Sequence, residues 1–388
     1  NSIDTDKVQA YTLTVTYKET NTDQSIDMNK RFSGKVNIVD PKLFGPFGTD
    51  TLATTIINTA KNQTDSTRTT LGSEVTTFTS ISGENEHVLN TAPDDYGTSY
   101  YFRGNVIDNY VSFADKVWRI VRINGDGSIR LILDDVAKDS SGNAINTAFN
   151  TNKDDNAYVG YMYGTPGSTT YDATHENKND STIKIAVDKW YEDNLKTNYS
   201  NYLADTLFCG DKTLAESGIG GVTTQLGYGT NQTYYSSTER LLYSSGTTGL
   251  TTSIPTLKCA EKTNDNYSRY TTTKGTLPNG KETNGNLKYP IGLLTADEVA
   301  YAGAYKQKQT NKTYYLYNSS ITSNVWFLAS QQYDATNART WYSSPSEGFI
   351  DNHYVYRLFA FRPTINLKNN VKFSGTGTST DPYKIVTE

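Results

Sequence analysis

The sequence predicts a β-rich α+β fold, and three observations support this prediction. Residues 117–123 (VWRIVRI) and 129–133 (IRLIL) are dense in β-branched and apolar residues, and the NGDG between them is typical of a hairpin turn. Tyrosine dominates the aromatic residues, with 30 Tyr against 13 Phe and 4 Trp, and it suits strands with one wet face. Only two segments combine a strong helical pattern with a capping residue.

The first predicted helix covers residues 181–195, with Asp180 or Ser181 as its N-cap. Four apolar side chains share one face of this helix at helical spacing: Ile183, Val187, Trp190 and Tyr191. The second helix begins at Thr295, where Glu298 has the spacing of a capping box and a glycine follows as a stop. The remaining chain is predicted to be strands and long polar loops.

Composition and charge exclude several classes of partner. The chain of 388 residues is long enough for two or three domains, and its hydrophobic fraction is 35% even with Tyr included. The net charge is −5 and no block of Lys or Arg occurs, so nucleic acid and anionic membranes are not expected partners. No apolar run reaches the roughly 18–20 residues that span a bilayer.

The two cysteines indicate an oxidising environment. Cys209 and Cys259 lie in Asn/Gly/Thr-rich surroundings, and a disulfide between them is our prediction. Two separate buried thiols are the alternative, because free cysteine is often buried. A metal clip is not expected, since no CxxC spacing or nearby histidine supplies further ligands. The disulfide and the Tyr/Thr/Asn/Ser/Gly-rich composition favour an extracellular location, on the cell surface or secreted.

Three segments organise the chain. Residues 1–40 are predicted to form a small β unit, because apolar and polar residues alternate from Tyr11 to Tyr17. Residues 41–93 are predicted to be a linker with a short helix near residues 52–60. Residues 94–388 are predicted to be one large domain, in which residues 210–288 form long loops tethered by the cysteines. Because the alternating strand pattern begins within the first residues, we expect the chain to be a mature product or a fragment. Its secretion signal and its surface anchor are then expected to lie outside this sequence.

The first segment resembles a known group of sandwich proteins. The run YTLTVTYKETNTDQSIDMNKRFSGKVNIV is similar to the closing strands of camelysin/TasA-like β-sandwich proteins of Gram-positive bacteria. Two strands alone are marginal in water, so this unit either completes a sandwich or pairs with another molecule. That resemblance gives the second function hypothesis, a structural subunit of a surface filament in which residues 1–40 add a strand to a neighbouring copy.

The large domain carries two further resemblances. The block YYFRGNV, NYVSFA and WRIVRINGDGSIRLIL is similar to a recurring block of secreted and surface-attached proteins of Gram-positive bacteria. The stretch NVWFLASQQYDATNARTWYSSPSEGFIDNHYVYRLFAFRPTINL resembles the end of a C-type-lectin-like domain related to the formylglycine-generating-enzyme fold. This resemblance implies a C-type-lectin-like domain over residues 94–388. The calcium motif of animal C-type lectins does not occur, so calcium-dependent sugar binding is not implied.

Catalytic and metal-binding patterns are weak. His175 begins HENKN, which lacks the second histidine of a zinc helix, and we expect His87 and His175 to be solvated loop residues. No GxSxG elbow occurs, and the two cysteines are too far apart in sequence to match the close pair of formylglycine-generating enzymes. We therefore predict no enzyme activity, and neither metal nor organic cofactor.

The predicted function is a non-enzymatic, adhesin-like protein of a bacterial surface that contacts a host surface protein or glycan. Neighbouring copies of the chain are the partner in the filament alternative. The predicted contact surface lies on loops between residues 331 and 356, where rigid aromatic and adaptable polar side chains occur together. Its candidate ligand-binding residues are Trp341, Tyr342, Asn352, His353 and Tyr354. Core packing is the competing interpretation for at least half of these aromatic residues.

Overall fold

The computed structural model describes residues 47–75, 86–241, 255–259, 267–304 and 311–387. The predicted β unit of residues 1–40 lies outside the described residues. The filament hypothesis depends on that unit and therefore stays a prediction. In the described part of the chain the α-helices are α1 (Leu52–Lys61), α2 (Tyr171–His175), α3 (Thr182–Asn194), α4 (Ser236–Leu241) and α5 (Ala296–Ala302). Short 3-10 helices cover Asn156–Val159, Ser200–Tyr202 and Ile219–Gly221.

The strands form one large sheet, a smaller sheet and two short pairs. Up to the first cysteine they are β1 (Thr70–Glu74), β2 (His87–Pro93), β3 (Thr98–Gly104), β4 (Tyr110–Phe113), β5 (Lys116–Ile123), β6 (Ile129–Leu133), β7 (Met162–Tyr163), β8 (Asn179–Asp180) and β9 (Phe208–Cys209). The later strands are β10 (Thr233–Tyr234), β11 (Arg269–Tyr270), β12 (Ile291–Gly292), β13 (Val325–Tyr333), β14 (Ala338–Ser343), β15 (Ile350–Tyr354), β16 (Thr364–Leu367), β17 (Phe373–Ser374) and β18 (Tyr383–Ile385).

Capping residues explain where the helices begin. The Ser181 side chain accepts from the Lys184 backbone N–H at the start of α3, so Ser181 is the N-cap of the predicted helix. At the start of α5, Thr295 and Glu298 exchange the two hydrogen bonds of a capping box. At the start of α1, the Thr51 side chain accepts from the Thr54 backbone N–H. All three helices therefore begin where the sequence predicts.

The β5–β6 hairpin is the centre of the large sheet. β6 lies along one edge of β5, while β4 and β3 share the other edge, so β5 has three neighbours. Gly127 in the connecting turn has a φ of +84°, and its N–H donates to Asn124 O at 2.8 Å. β16 continues the sheet beyond β6, and every residue of β6 and β16 is buried. The predicted hairpin is confirmed.

The smaller sheet has the strand order β10, β13, β14, β15. Its central strand β13 is nearly all buried, and Trp326 and Trp341 belong to the same apolar core as Trp118 of the large sheet. Helices α4 and α5 contact β13. The large sheet, the smaller sheet and the packed helices together confirm the predicted β-rich α+β fold class.

The structure differs from the predicted domain boundary at residue 94. Helix α1 buries Leu52 and Ile56 in the main core, and β2 pairs along its whole length with β3. The described residues of the predicted linker 41–93 therefore belong to the body of the large unit, which extends over residues 40–388. The helical pattern of residues 52–61 was weak in the sequence, because threonines lie among the apolar residues that form the buried face of the helix.

The predicted disulfide is confirmed. Cys209 and Cys259 are bonded, and they join β9 to a short segment of residues 255–259. Of the region 210–288 that was predicted to be long loops, the described residues also contain α4 and the strands β10 and β11. Among the described residues, no helix is long and apolar enough to cross a membrane.

Candidate contact surface on β14 and β15

The candidate site residues lie on strands, whereas the sequence predicts loops. All five belong to the β14–β15 pair, in which Trp341 lies opposite Asn352 and Tyr342 lies opposite Asp351. His353 is also on β15, opposite Thr340. Because directly opposed residues share a face of the sheet, Trp341, Asn352 and Tyr354 lie on one face, and Tyr342 and His353 lie on the other.

Trp341 is part of the core and has no exposed surface to offer a partner. Its side chain is 0% exposed, and its indole N–H donates to Ser237 Oγ at 2.8 Å. That hydrogen bond fixes β14 to α4. A buried indole with a satisfied N–H stabilises the fold, so Trp341 does not belong to the contact surface.

Tyr342 and His353 form a half-buried aromatic group with Phe359. The Tyr342 and Phe359 rings are 5.2 Å apart, and the His353 and Phe359 rings are 5.5 Å apart. Burial, and then the Asp351 carboxylate, raise the pKa of Tyr342 to about 12. Burial and the positive charges of Arg357 and Arg339 lower the pKa of His353.

His353 and Asp351 also satisfy backbone donors of β15. The Asn352 N–H donates to the Asp351 carboxylate at 2.8 Å, and the Tyr354 N–H donates to His353 Nδ1 at 2.8 Å. Among the described residues, β15 pairs with β14 alone, so these two N–H groups face away from the sheet. Such local capping of an edge strand discourages unwanted strand pairing.

The other face presents an ordered group of polar and aromatic side chains. Tyr354 and Tyr356 have parallel rings, with 5.5 Å between their centroids and 7° between their planes. The Arg339 guanidinium lies 4.3 Å from the centre of the Tyr354 ring and donates to its hydroxyl at 3.1 Å. It also donates to Asn352 Oδ1 at 3.3 Å. We call Arg339, Asn352, Tyr354 and Tyr356 the tyrosine strip.

Two further cations lie beside the strip. The Lys153 ammonium is 5.9 Å from the centre of the Tyr356 ring, and the Arg357 guanidinium is 5.5 Å from it. The Asp334 carboxylate also holds Arg339 in place, because it accepts a hydrogen bond from Arg339 Nε at 2.8 Å. The sequence prediction missed Arg339 and Lys153. Alternation of Asn352 and Tyr354 was the available signal for the strip, because residues two apart on a strand share a face, and Tyr356 lies just beyond the end of β15.

A second charged group lies inside the protein. Glu298 accepts from Arg122 Nε at 3.0 Å and from Arg130 Nη1 at 2.6 Å, and Arg122 also donates to Asp94 at 2.7 Å. All four side chains are buried. Burial acts to raise the pKa of Glu298, but the two arginines and the Thr295 N–H leave that pKa below its ordinary value. Glu298 is therefore ionised and paired.

Arg240 joins two more carboxylates to this group. It donates to Asp297 at 2.8 Å and to Asp211 at 2.9 Å. The cavity that these charged residues line measures about 20 Å³, which is room for about one water molecule. An organic ligand does not fit there, so the group acts structurally, tying α5 and α4 to the large sheet.

His175 is buried, so the prediction that it is a solvated loop residue is wrong. It is 0% exposed at the end of α2, and its ring Nε2 lies 2.8 Å from Gly227 O. Burial, and then the nearby charge of Lys212, lower its pKa to about 3. His175 is therefore neutral at physiological pH. Contacts from residues distant in sequence enclose the ring, which the local motif HENKN did not indicate.

His87 is only partly buried, and its Nδ1 lies 2.6 Å from Asn105 O.

Within the described residues, no group of three or more His, Cys, Asp or Glu side chains has the arrangement of a metal site.

The chain was also compared with known proteins. No protein-family model matched it, no curated protein sequence matched it, and no solved structure matched it. The lectin-like domain and the surface-protein family remain predictions, and any function rests on the geometry of the chain's own residues.

Proposed function

We propose that this chain is a non-enzymatic, adhesin-like binding protein of a bacterial cell surface. In this proposal the tyrosine strip contacts a host surface protein, and a host glycan is the alternative partner. The observation that carries the proposal is the pair of parallel tyrosine rings with three cationic side chains around it. The confirmed disulfide supports an extracellular location, because such bonds persist in oxidising compartments.

Preorganisation is the first argument for a contact role. Arg339 makes hydrogen bonds to Asp334, Asn352 and Tyr354, so its guanidinium is fixed before a partner arrives. Tyr354 is held in turn by Arg339 above its ring. Side chains that are already ordered lose little entropy on binding. Tyr and Arg are also the residue types that most often dominate the energy of protein interfaces.

Charge is the second argument, and it favours an acidic protein as the partner. Lys153 and Arg357 lie beside Tyr356, and neither forms an ion pair with a described residue. A carboxylate of a partner can approach these cations while its neighbouring apolar atoms cover the tyrosine rings. Such a contact gains both ring burial and a charge-assisted hydrogen bond.

The test is binding of the fluorescently labelled chain to cultured epithelial cells, measured by flow cytometry. The test variant is Tyr354→Ala with Tyr356→Ala, which removes both rings of the strip. The matched control is Tyr289→Ala, because Tyr289 also stacks on a tyrosine, with ring centroids 4.6 Å apart, and has Lys196 and Lys288 over its ring. Melting curves establish that each variant is folded.

We expect the double variant to bind at least about tenfold more weakly, since truncation of a true anchor costs about 2 kcal/mol or more. The control should bind like the wild type. Treating the cells with protease should abolish binding, and treating them with glycosidases should not. Loss of binding after glycosidase alone would identify a glycan partner instead. Wild-type binding by the folded double variant would refute a role for the strip.

A further inference from the structure

A cleft of about 460 Å³ lies where β5 begins and β6 ends, beside the C-terminal part of α3. Its size falls within the roughly 300–1,000 Å³ that is usual for small-molecule sites. Its apolar lining comes from Val117, Leu133, Val136 and Trp190. Val117 is 49% exposed, which is unusual for a valine of a central strand. The cleft shares no residue with the tyrosine strip.

Trp190 contributes an unused hydrogen-bond donor to the cleft. The residue is 3% exposed, and its ring packs edge to face against Trp118 with centroids 6.2 Å apart. Its indole N–H donates to no described residue, and its nitrogen is not among the buried unpaired polar atoms, so this nitrogen reaches solvent. Because Trp190 lines the cleft, its free N–H is available to a molecule bound there.

The charges around the cleft balance one another. Asp135 is paired with Lys138 at 2.5 Å. Asp134 lies 3.9 Å from each of two buried arginines, Arg119 and Arg362. A lining of this kind has many hydrogen-bonding atoms and little net charge. It therefore favours a neutral ligand over a strongly charged one, because a charged ligand would leave its own charge or one of these ion pairs uncompensated.

Two further charged groups contribute to the hydrogen-bonding lining. The Lys116 ammonium lies 5.7 Å from the centre of the Trp190 ring and offers donors. Asp139 accepts from the backbone N–H groups of Ser141 and Asn143, which holds its carboxylate in place and lowers its pKa. Both residues line the cleft, so its lining contains donors and acceptors as well as the apolar patch.

We propose that this cleft binds a neutral sugar of one or two pyranose units. The apolar side chains Val117, Leu133 and Val136 match the C–H faces of such a ring. The carboxylates, the Lys116 ammonium and the Trp190 N–H match hydroxyl groups, each of which donates and accepts. The proposal does not rest on the tyrosine strip and stands if the strip binds nothing.

The test is a sugar titration followed by NMR. It uses the four indole N–H signals of the intact, ¹⁵N-labelled chain, which contains 4 Trp. The signal that disappears in Trp190→Phe belongs to Trp190. The probes are glucose, galactose, maltose, cellobiose and lactose, each titrated to about 50 mM. Val117→Trp fills the cleft from an exposed position. Its matched control is Ile185→Trp, because Ile185 is 59% exposed on α3 and does not line the cleft.

We expect at least one sugar to shift the Trp190 indole signal in a saturable way. The shift should persist in Ile185→Trp and in the strip variant Tyr354→Ala with Tyr356→Ala, and it should disappear in Val117→Trp. Because Trp190→Phe lacks this indole, its binding is followed by the backbone amide signals of the ¹⁵N-labelled chain, and it should bind the same sugar about three- to tenfold more weakly, as expected for loss of one hydrogen bond. The absence of a saturable shift with every probe, or an unchanged shift in Val117→Trp, would overturn the proposal.

Discussion

Glu298 holds two buried arginines at once and also caps the helix it belongs to. Its carboxylate accepts from Arg122, from Arg130 and from the Thr295 N–H. A carboxamide in its place has one oxygen and carries no charge, so the buried Arg130 loses its carboxylate partner and Arg122 keeps only Asp94. The residue therefore contributes more to stability than its short side chain suggests.

We expect Glu298→Gln to lower the free energy of unfolding by about 3–5 kcal/mol, the usual effect of removing one partner of a buried ion pair. Urea unfolding followed by circular dichroism measures this change. The control is Glu282→Gln, because Glu282 pairs with Lys274 on the surface, where both side chains are more than half exposed. That change should cost less than about 1 kcal/mol. Equal effects of the two substitutions would contradict the assignment.

His175 gives the protein a specific response to pH. Its folded pKa of about 3 lies below the ordinary value of 6.5, so between these values the unfolded state binds a proton that the folded state does not. Stability therefore falls as the pH decreases through this window, by up to about 1.4 kcal/mol per pH unit. Above pH 6.5 the residue adds no such dependence.

His175→Phe should remove this part of the pH dependence. The phenyl ring keeps the contact with Tyr171 but loses the hydrogen bond to Gly227 O and cannot bind a proton. We expect the variant to be less stable at pH 7, and we expect its disadvantage to shrink as the pH is lowered to 5. Urea midpoints at several pH values measure this. If the stability of the wild type and that of His175→Phe changed in parallel with pH, this role of His175 would be refuted.

At the scale of secondary-structure elements, the β14–β15 connection positions the tyrosine strip. Gly348 in this connection has a φ of +71°, and a Cβ atom there would lie 1.8 Å from the backbone oxygen of Asn311. A side chain therefore meets both an unfavourable φ and a backbone clash. Only glycine allows the connection to pack against the segment that begins at Asn311.

Gly348→Ala should destabilise the chain by more than its φ alone explains. A left-handed φ costs an alanine about 1–2 kcal/mol, and the forced shift of Asn311 adds about 1–3 kcal/mol. Gly280→Ala is the matched control, since Gly280 has a φ of +80° and nothing within 4 Å of its Cβ position. Thermal melting compares the two. A Gly348→Ala variant as stable as the control would show that the connection can relax.

The elements predicted from sequence are those whose signals are local. The NGDG turn between β5 and β6 and the caps of α3 and α5 are each fixed by residues within a few positions of one another. The ion pairs of Glu298 join residues 168 and 176 positions apart, so no local pattern could indicate them. Trp341 was misassigned because alternation does not tell which face of a strand is covered.

At the scale of the whole molecule, the disulfide links two segments whose cysteines are 50 positions apart in the sequence. Cys259 belongs to the short described segment 255–259, and its N–H donates to the Asp95 carboxylate at 2.7 Å. Cys209 lies on β9, whose partner in the described residues is β11. Closing the loop between the two cysteines restricts the unfolded chain, and this restriction is the main source of stabilisation in the chain-entropy model.

We expect reduction of the disulfide to lower the free energy of unfolding by about 4 kcal/mol, given the separation of 50 residues between the cysteines. Urea unfolding with and without a reductant measures this, and non-reducing mass spectrometry first establishes that neither thiol is free. The double variant Cys209→Ser with Cys259→Ser is the control, because reductant should not change its stability. A reductant effect of equal size in that variant would mean that the loss arises elsewhere. Reduced wild type as stable as oxidised wild type would mean that the link adds nothing to the contacts around Cys259.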